Sequence, residues 1–148
     1  MPGISDPGSS LVAACVLHGI DVVPIPGPCA AVAALVASGL PTDDFRFVGF
    51  LPAKSPARRK ALGALRQDPA TLVVYVSPHS ALAVLADVAA ELGADRRVSL
   101  GRELTKVHET HVRGTVADVL QRLQDGGDVK VRCTDAWRVV MGRGTGLW

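Results

Sequence analysis

The densest concentration of reactive side chains in the sequence is Arg102-Glu103-Leu104-Thr105-Lys106-Val107-His108-Glu109. Arginine and lysine beside glutamate and histidine supply what is needed to hold a phosphate, orient a hydroxyl or tune a general base. The same run also reads as a solvated loop of mutually paired charges, and spacing alone favours that plainer reading. A second candidate is Ser77-Pro78-His79. With Glu103 as a distant acid it makes a Ser-His-acid hydrolase conceivable, but no G-x-S-x-G elbow is present to expose the serine. A third is the basic concentration Lys54, Arg58, Arg59, Lys60 and Arg66. Such a row of cations suits either a solvated helix face or contacts along a phosphate backbone. Cys15, Cys29 and Cys133 are odd in number and lack metal-ligand spacing, so reduced thiols are expected rather than a disulfide framework. His18 and His111 read as structural or exposed.

These groups need elements to position them. The chain opens on Met1-Pro2-Gly3-Ile4-Ser5-Asp6-Pro7-Gly8, a stiff loop that exposes peptide groups and feeds a helix from Ser9 to His18. Leu11, Val12, Cys15 and Val16 share a face of that helix, and Gly19 stops it. A short strand, Asp21 to Ile25, leads to a second glycine-proline turn, Pro26-Gly27-Pro28-Cys29-Ala30, which opens a helix over Ala30 to Ser38. Two loops of this kind, each feeding a helix, are how open α/β sheets build ligand crevices. The pattern changes near Leu40-Pro41-Thr42-Asp43-Asp44, where a domain junction is expected. Strands follow over Phe45–Leu51, Leu72–Val76 and Arg97–Gly101, with helices over Ala57–Gln67 and after Ser77-Pro78. The charged loop then runs into a strand ending near Arg113, and Thr115 caps a last helix carrying Val116, Val119, Leu120 and Leu123. Asp128-Val129-Lys130-Val131 suggests one more strand, and no period is visible from Arg132 to Trp148.

The totals agree with a buried α/β core. Of 148 residues, 48% are hydrophobic and 20% charged, and aromatics make up only 4%, which suits helices packed on a sheet. A net charge of +2 is too small to argue for nucleic acid by itself. No apolar run reaches the ~18 residues a membrane helix needs.

Several stretches, in order, carry a resemblance: Met1-Pro-Gly-Ile-Ser-Asp-Pro-Gly8, Pro24-Ile-Pro-Gly-Pro28, Ser38-Gly-Leu-Pro-Thr-Asp43, Gly49-Phe-Leu-Pro-Ala-Lys-Ser55, Ser77-Pro-His79 and Arg102-Glu-Leu-Thr-Lys106 with His108-Glu109. Together they resemble the small-subunit ribosomal RNA 2′-O-ribose (cytidine) methyltransferases of the tetrapyrrole-methylase superfamily. The resemblance covers roughly residues 1 to 125. It implies an α/β, two-domain architecture with S-adenosylmethionine in the cleft. Residues 1–42 would be the remnant of an N-terminal cofactor domain, incomplete at its start, 43–127 the C-terminal domain, and 128–148 a divergent tail. By position it places Ile4, Ser5, Cys29, Ala30, Val76, Arg102 and Leu104 against the cofactor. Glu103 or Glu109 would accept the ribose proton, with Lys106 and Arg102 near phosphate, and Lys54, Arg58 and Arg59 would contact RNA. Further implied are an rRNA or ribosomal-subunit partner, a homodimer in the complete family member, no membrane association, and a cytoplasmic location, or a plastid one in a photosynthetic eukaryote. A tetrapyrrole methyltransferase and a non-catalytic RNA- or partner-binding fragment are the alternatives. Departures from the family pattern include Ser80, where the family carries arginine after Pro-His.

Overall fold

The computed structural model describes residues 1–125 and 137–142. In chain order the elements are α1 (Ser9–Leu17), α2 (Ala30–Val36), β1 (Phe45–Phe50), α3 (Ser55–Ala64), β2 (Thr71–Val76), a 3₁₀ turn (Pro78–Ser80), α4 (Ala81–Leu92), β3 (Arg97–Arg102), β4 (Thr110–Thr115), α5 (Val116–Gln124) and β5 (Trp137–Gly142). The five strands form one sheet in the order β1-β2-β5-β3-β4. β1 and β2 are parallel, whereas β5 lies antiparallel to both β2 and β3, and β4 is antiparallel to β3. β1, β2 and β3 therefore point the same way.

Alternation sorts the strand residues between two covers. Leu72, Val74, Val98, Leu100, Val139 and Met141 pack beneath α3, α4 and α5, against Leu62, Leu85, Val88 and Val119. Val73, Tyr75 and Val140 face the other way, onto Ala31, Ala34 and Leu35 of α2 and onto Leu40. β2 is buried along its whole length because it is covered on both faces, which is why it reads as a near-continuous apolar run. Arg113 of β4 donates from Nε and Nη2 to the carbonyl of Ala37, tying down the carboxyl end of α2. A bulge in β1 shifts the pairing between Phe47 and Gly49, with Gly49 at φ +72°. The extra residue keeps Phe47, opposite Val73, and Phe50, opposite Tyr75, on the same face of the sheet.

Three expectations are corrected. The segment beyond Arg132, read as patternless, supplies β5, which lies between β2 and β3 at the centre of the sheet. Residues 45 to 125 therefore do not make a continuous sheet by themselves. The strand expected over Asp21–Ile25 is absent. Those residues are exposed and pair with no strand, since the described sheet offers them no ladder and Pro24 lacks a donor. α3 begins at Ser55, two residues early, with Pro56 in its first turn, where the missing N–H costs nothing. The strand expected over Asp128–Val131 lies outside the described residues.

α1 stands apart. It closes with a Schellman arrangement, in which Ile20 N–H donates to the Cys15 carbonyl and Gly19 N–H to Val16, with Gly19 at φ +66°. None of its residues is buried, so the apolar face of Leu11, Val12 and Val16 meets no core among the described residues.

Candidate functional site

Parallel strands place their carboxyl ends along one edge of a sheet, and open α/β sheets bind ligands outside that edge. Here the edge is formed by Phe50, Val76 and Arg102, the last residues of β1, β2 and β3. Between β1 and β2 lies a cavity of about 320 Å³ walled by Phe50, Pro52, Arg58, Tyr75, Val76 and Ser77. Its rear is apolar, with Val76 buried, while Ser77 and Ser80 add hydroxyls at the start of α4. Phe47 and Phe50 meet the Tyr75 ring edge-on, with centroids 5.0 and 5.5 Å away, and the Arg138 guanidinium lies 4.2 Å from the same ring. Phe50 nevertheless remains 56% exposed, an aromatic surface open at the mouth of the cavity.

Of the residues expected around a cofactor, Val76 and Arg102 end β2 and β3 at this edge. Ser5, at φ +51°, presses on the β1 bulge, where a Cβ on Gly49 would lie 3.0 Å from its Oγ. Glycine at that position lets the opening loop and the strand meet. Cys29 precedes α2, whose first residue is Ala30, and packs with Leu104 against the cluster under that helix. Leu104 folds back over β3, so close that a Cβ on Gly101 would lie 3.1 Å from its Cδ2. Ile4 is exposed in the opening loop. Val76 and Arg102 end strands that β5 separates, and alternation puts both on the face covered by α3, α4 and α5, opposite the cluster that holds Cys29 and Leu104. Arg102 is 7% exposed.

The loop from Glu103 to Glu109 is tightly wound. Glu103 and Thr105 both take positive φ, +48° and +67°, a backbone state that ordinary residues hold only when their surroundings enforce it. The enforcement is visible. The Glu103 carbonyl accepts from Lys106 N–H and the Lys106 carbonyl from Glu109 N–H. The Glu109 carboxylate accepts from Thr105 N–H at 2.5 Å and faces His111 Nε2 at 3.0 Å. The Thr105 amide, followed by the His111 ring, holds the Glu109 carboxyl below the usual carboxylate range. Of the groups expected to take a proton, Glu109 is thus occupied in folding the loop, and its lowered basicity suits it poorly to a base. Glu103 is half-buried at the strand end, and Lys106 is exposed.

The basic concentration divides. Lys54, Arg59 and Lys60 are exposed, but Arg58 is turned inward with 4% exposure. Its Nε donates to Asp87 Oδ2 at 2.7 Å and its Nη1 to the Ala53 carbonyl at 2.9 Å, while Ser55 Oγ donates to the same carboxylate. Arg58 braces the loop that walls the cavity and offers no solvent-facing contact for RNA, contrary to the sequence expectation. Asp87 went unnoticed in the sequence, although a lone carboxylate between the core residues Leu85 and Val88 is the signal that could have found it. Arg59 pairs on the surface with Glu91 at 2.6 Å, which raises its already high pKa. Ser77, His79 and Glu103 form no hydrogen-bonded relay, and among the described residues no cluster of His, Cys, Asp and Glu could hold a metal.

A profile of the family described as Tetrapyrrole (Corrin/Porphyrin) Methylases matches residues 1–120. The chain belongs to this family. Among its relatives is a protein named ribosomal RNA small subunit methyltransferase I from Synechocystis, 50% identical over 115 residues, which are 78% of this chain and 41% of the relative. Proteins of the same name from Escherichia coli O157:H7 and Pasteurella multocida are 53% and 54% identical, over 80% and 82% of this chain and 42% and 43% of theirs. The chain thus spans about two-fifths of the length of these relatives. Among solved structures, the methyltransferase CobJ superposes with a TM-score of 0.65 at 20% identity, over 97% of this chain and 61% of that one. Uroporphyrin-III C-methyltransferase from Thermus thermophilus, complexed with S-adenosyl homocysteine, gives 0.51 at 21% identity, over 89% and 58%. At such identities these two structures show the tetrapyrrole-methylase fold alone.

Proposed function

We propose that this chain is part of an S-adenosylmethionine-dependent methyltransferase acting on small-subunit ribosomal RNA, with a cytidine ribose 2′-hydroxyl as acceptor. The observation that carries the reading is identity of about one-half to relatives named for that RNA, over 115 and 119 residues of this chain. Residues 1–42 would belong to the cofactor side of the molecule and those from 43 onward to a second domain.

The residues present fit such a cofactor. Crowding at Gly49 and Gly101 brings the opening loop and Leu104 onto the strand ends, leaving small side chains and backbone groups to hold an adenosine and a methionine tail. Ser5, Cys29, Ala30, Val76 and Leu104 would contact it, with Ile4 flanking. S-adenosylmethionine, when bound, supplies an electrophilic methyl carbon on sulfur. The chain's own share of the work is alignment and removal of one hydroxyl proton, which asks for no metal. Glu103, half-buried beside Arg102, is the better placed of the two glutamates to take that proton, because Glu109 is engaged by Thr105 and His111. Lys54, Arg59, Lys60 and Lys106, all exposed, would steer and hold the RNA backbone.

The test is transfer of tritiated methyl from S-adenosylmethionine to small-subunit RNA, followed by alkaline digestion. Label retained in alkali-resistant dinucleotides would mark a ribose 2′-O-methyl group. Label appearing only on a free tetrapyrrole would sink the assignment, as would calorimetry showing no binding of S-adenosylmethionine.

A further inference from the structure

Arg102 is the most isolated buried charge of the site. The residue is 7% exposed, its Nε is sealed from solvent, and that nitrogen has no hydrogen-bond partner among the described residues. No carboxylate pairs with it among the described residues. The candidates nearest in sequence are otherwise placed, since Glu109 is held by Thr105 and His111, and Glu103 has no ion-pair partner among the described residues. A guanidinium cannot escape burial by losing its proton, as a lysine can, so an unpaired one at this depth is strongly disfavoured unless an anion meets it.

A second orphan lies directly across the ladder. Arg102 pairs with Thr110 in the β3–β4 register, and the Thr110 Oγ is likewise buried without a partner. Residues opposite each other in an antiparallel pair project from the same face, with Cβ atoms about 5 Å apart. Alternation along β3 puts this pair on the face of Val98 and Leu100, at the same sheet edge as Val76. Two buried donors without acceptors thus share one face at one edge, and the remaining exposure of Arg102 leaves a way in from solvent.

We propose that Arg102 and Thr110 form an oxyanion site, which takes one phosphate or carboxylate group through the guanidinium and the threonine hydroxyl. Two sources carry that chemistry at this edge: a phosphodiester of the RNA, and the carboxylate of the methionine tail of the methyl donor. The inference deepens the methyl-transfer reading by giving Arg102 a side-chain task. It rests on that reading only for the choice of competitors.

The experiment uses the 148-residue chain labelled with nitrogen-15, with the Arg102 Nε–Hε resonance as reporter and inorganic phosphate as probe. Phosphate should move this resonance saturably, whereas chloride at matched ionic strength should not. Thr110→Val, nearly isosteric, should weaken phosphate binding roughly fivefold through loss of one hydrogen bond. Arg102→Met should weaken it by about tenfold or more, as expected for a charge-assisted contact. If Arg102→Met fails to fold, the wild-type reporter and Thr110→Val still decide the matter. Displacement of phosphate by a short cytidine-containing RNA, or by S-adenosylmethionine, supports the site and names its source. An unmoved resonance, an equal response to chloride, an unchanged affinity in Thr110→Val, or displacement by neither competitor overturns it. Phosphate binding and displacement without methyl transfer would leave the oxyanion site standing and remove the activity assigned above.

Discussion

Arg58 and Arg59 are adjacent in sequence and opposite in role. One is an arginine buried with Asp87 and two backbone carbonyls, and the other pairs on the surface with Glu91. Removing one partner of a buried pair leaves the other charge uncompensated, so Arg58→Ala should lower unfolding free energy by about 3–5 kcal/mol in urea titrations. Arg59→Ala should leave the midpoint unchanged within error, because an exposed pair is screened and entropically costly. If RNA is bound, Arg59→Ala should instead reduce the slope of affinity against salt by about one unit. Glu109 gives a pH prediction. Its folded pKa is depressed, so the stability it confers is present above the ordinary carboxylate range and lost as pH falls through the lowered value. The His111 ring and Thr105 amide signals should therefore shift on acidification to below that range. In Glu109→Gln the transition should vanish. The residue types of this site were legible in the sequence, for Arg102, Glu103, Lys106 and Glu109 stand out by composition. Their partners were not, because Arg102 facing Thr110 depends on strand register and Arg58 facing Asp87 on how two helices pack.

At the scale of elements, the strands with unbroken apolar runs and the helices with clear caps were readable, and the central strand was not. Thr115 and Asp118 illustrate the first case. Thr115 Oγ accepts from Asp118 N–H while the Asp118 carboxylate accepts from Thr115 N–H, a reciprocal cap visible as Thr-x-x-Asp before an apolar periodic run. Thr115→Ala should cost about 1 kcal/mol, read as a lowered urea midpoint with unchanged slope. β5 illustrates the second. Val139, Val140 and Met141 are apolar and buried, and Arg138 stands just before them. Three residues define no period, and the arginine argues against a strand unless one knows that it lies over the Tyr75 ring. Yet this strand is hydrogen-bonded on both sides, to β2 and β3. Met141 is fully buried beneath the helices, so Met141→Ala should cost about 2–5 kcal/mol. A loss typical of a surface residue would show that β5 contributes little to the sheet in solution.

The molecule as a whole is unevenly held. From β1 onward the described elements share a core covered on both sheet faces, and α2 joins it through Ala31, Ala34 and Leu35. Residues 9 to 28 join nothing comparable. Leu17 and Ile25 are 81% and 80% exposed, and α1 buries none of its residues. A nine-residue helix is below the ~12–15 residues at which isolated helices become even marginally stable in water, and this one gains nothing from a packed face. Its amides should exchange at rates set by local fraying, whereas those of β2, β3 and β5 should exchange only through global opening. Apolar surface on this scale also favours association. Sedimentation of the isolated chain should therefore depend on concentration, and replacing Leu17 and Val23 with lysine should abolish that dependence without lowering the unfolding midpoint. Slow exchange across α1 in a monomer at every concentration would mean that Leu11, Val12 and Val16 are covered in solution, and the exposed-face account would fall.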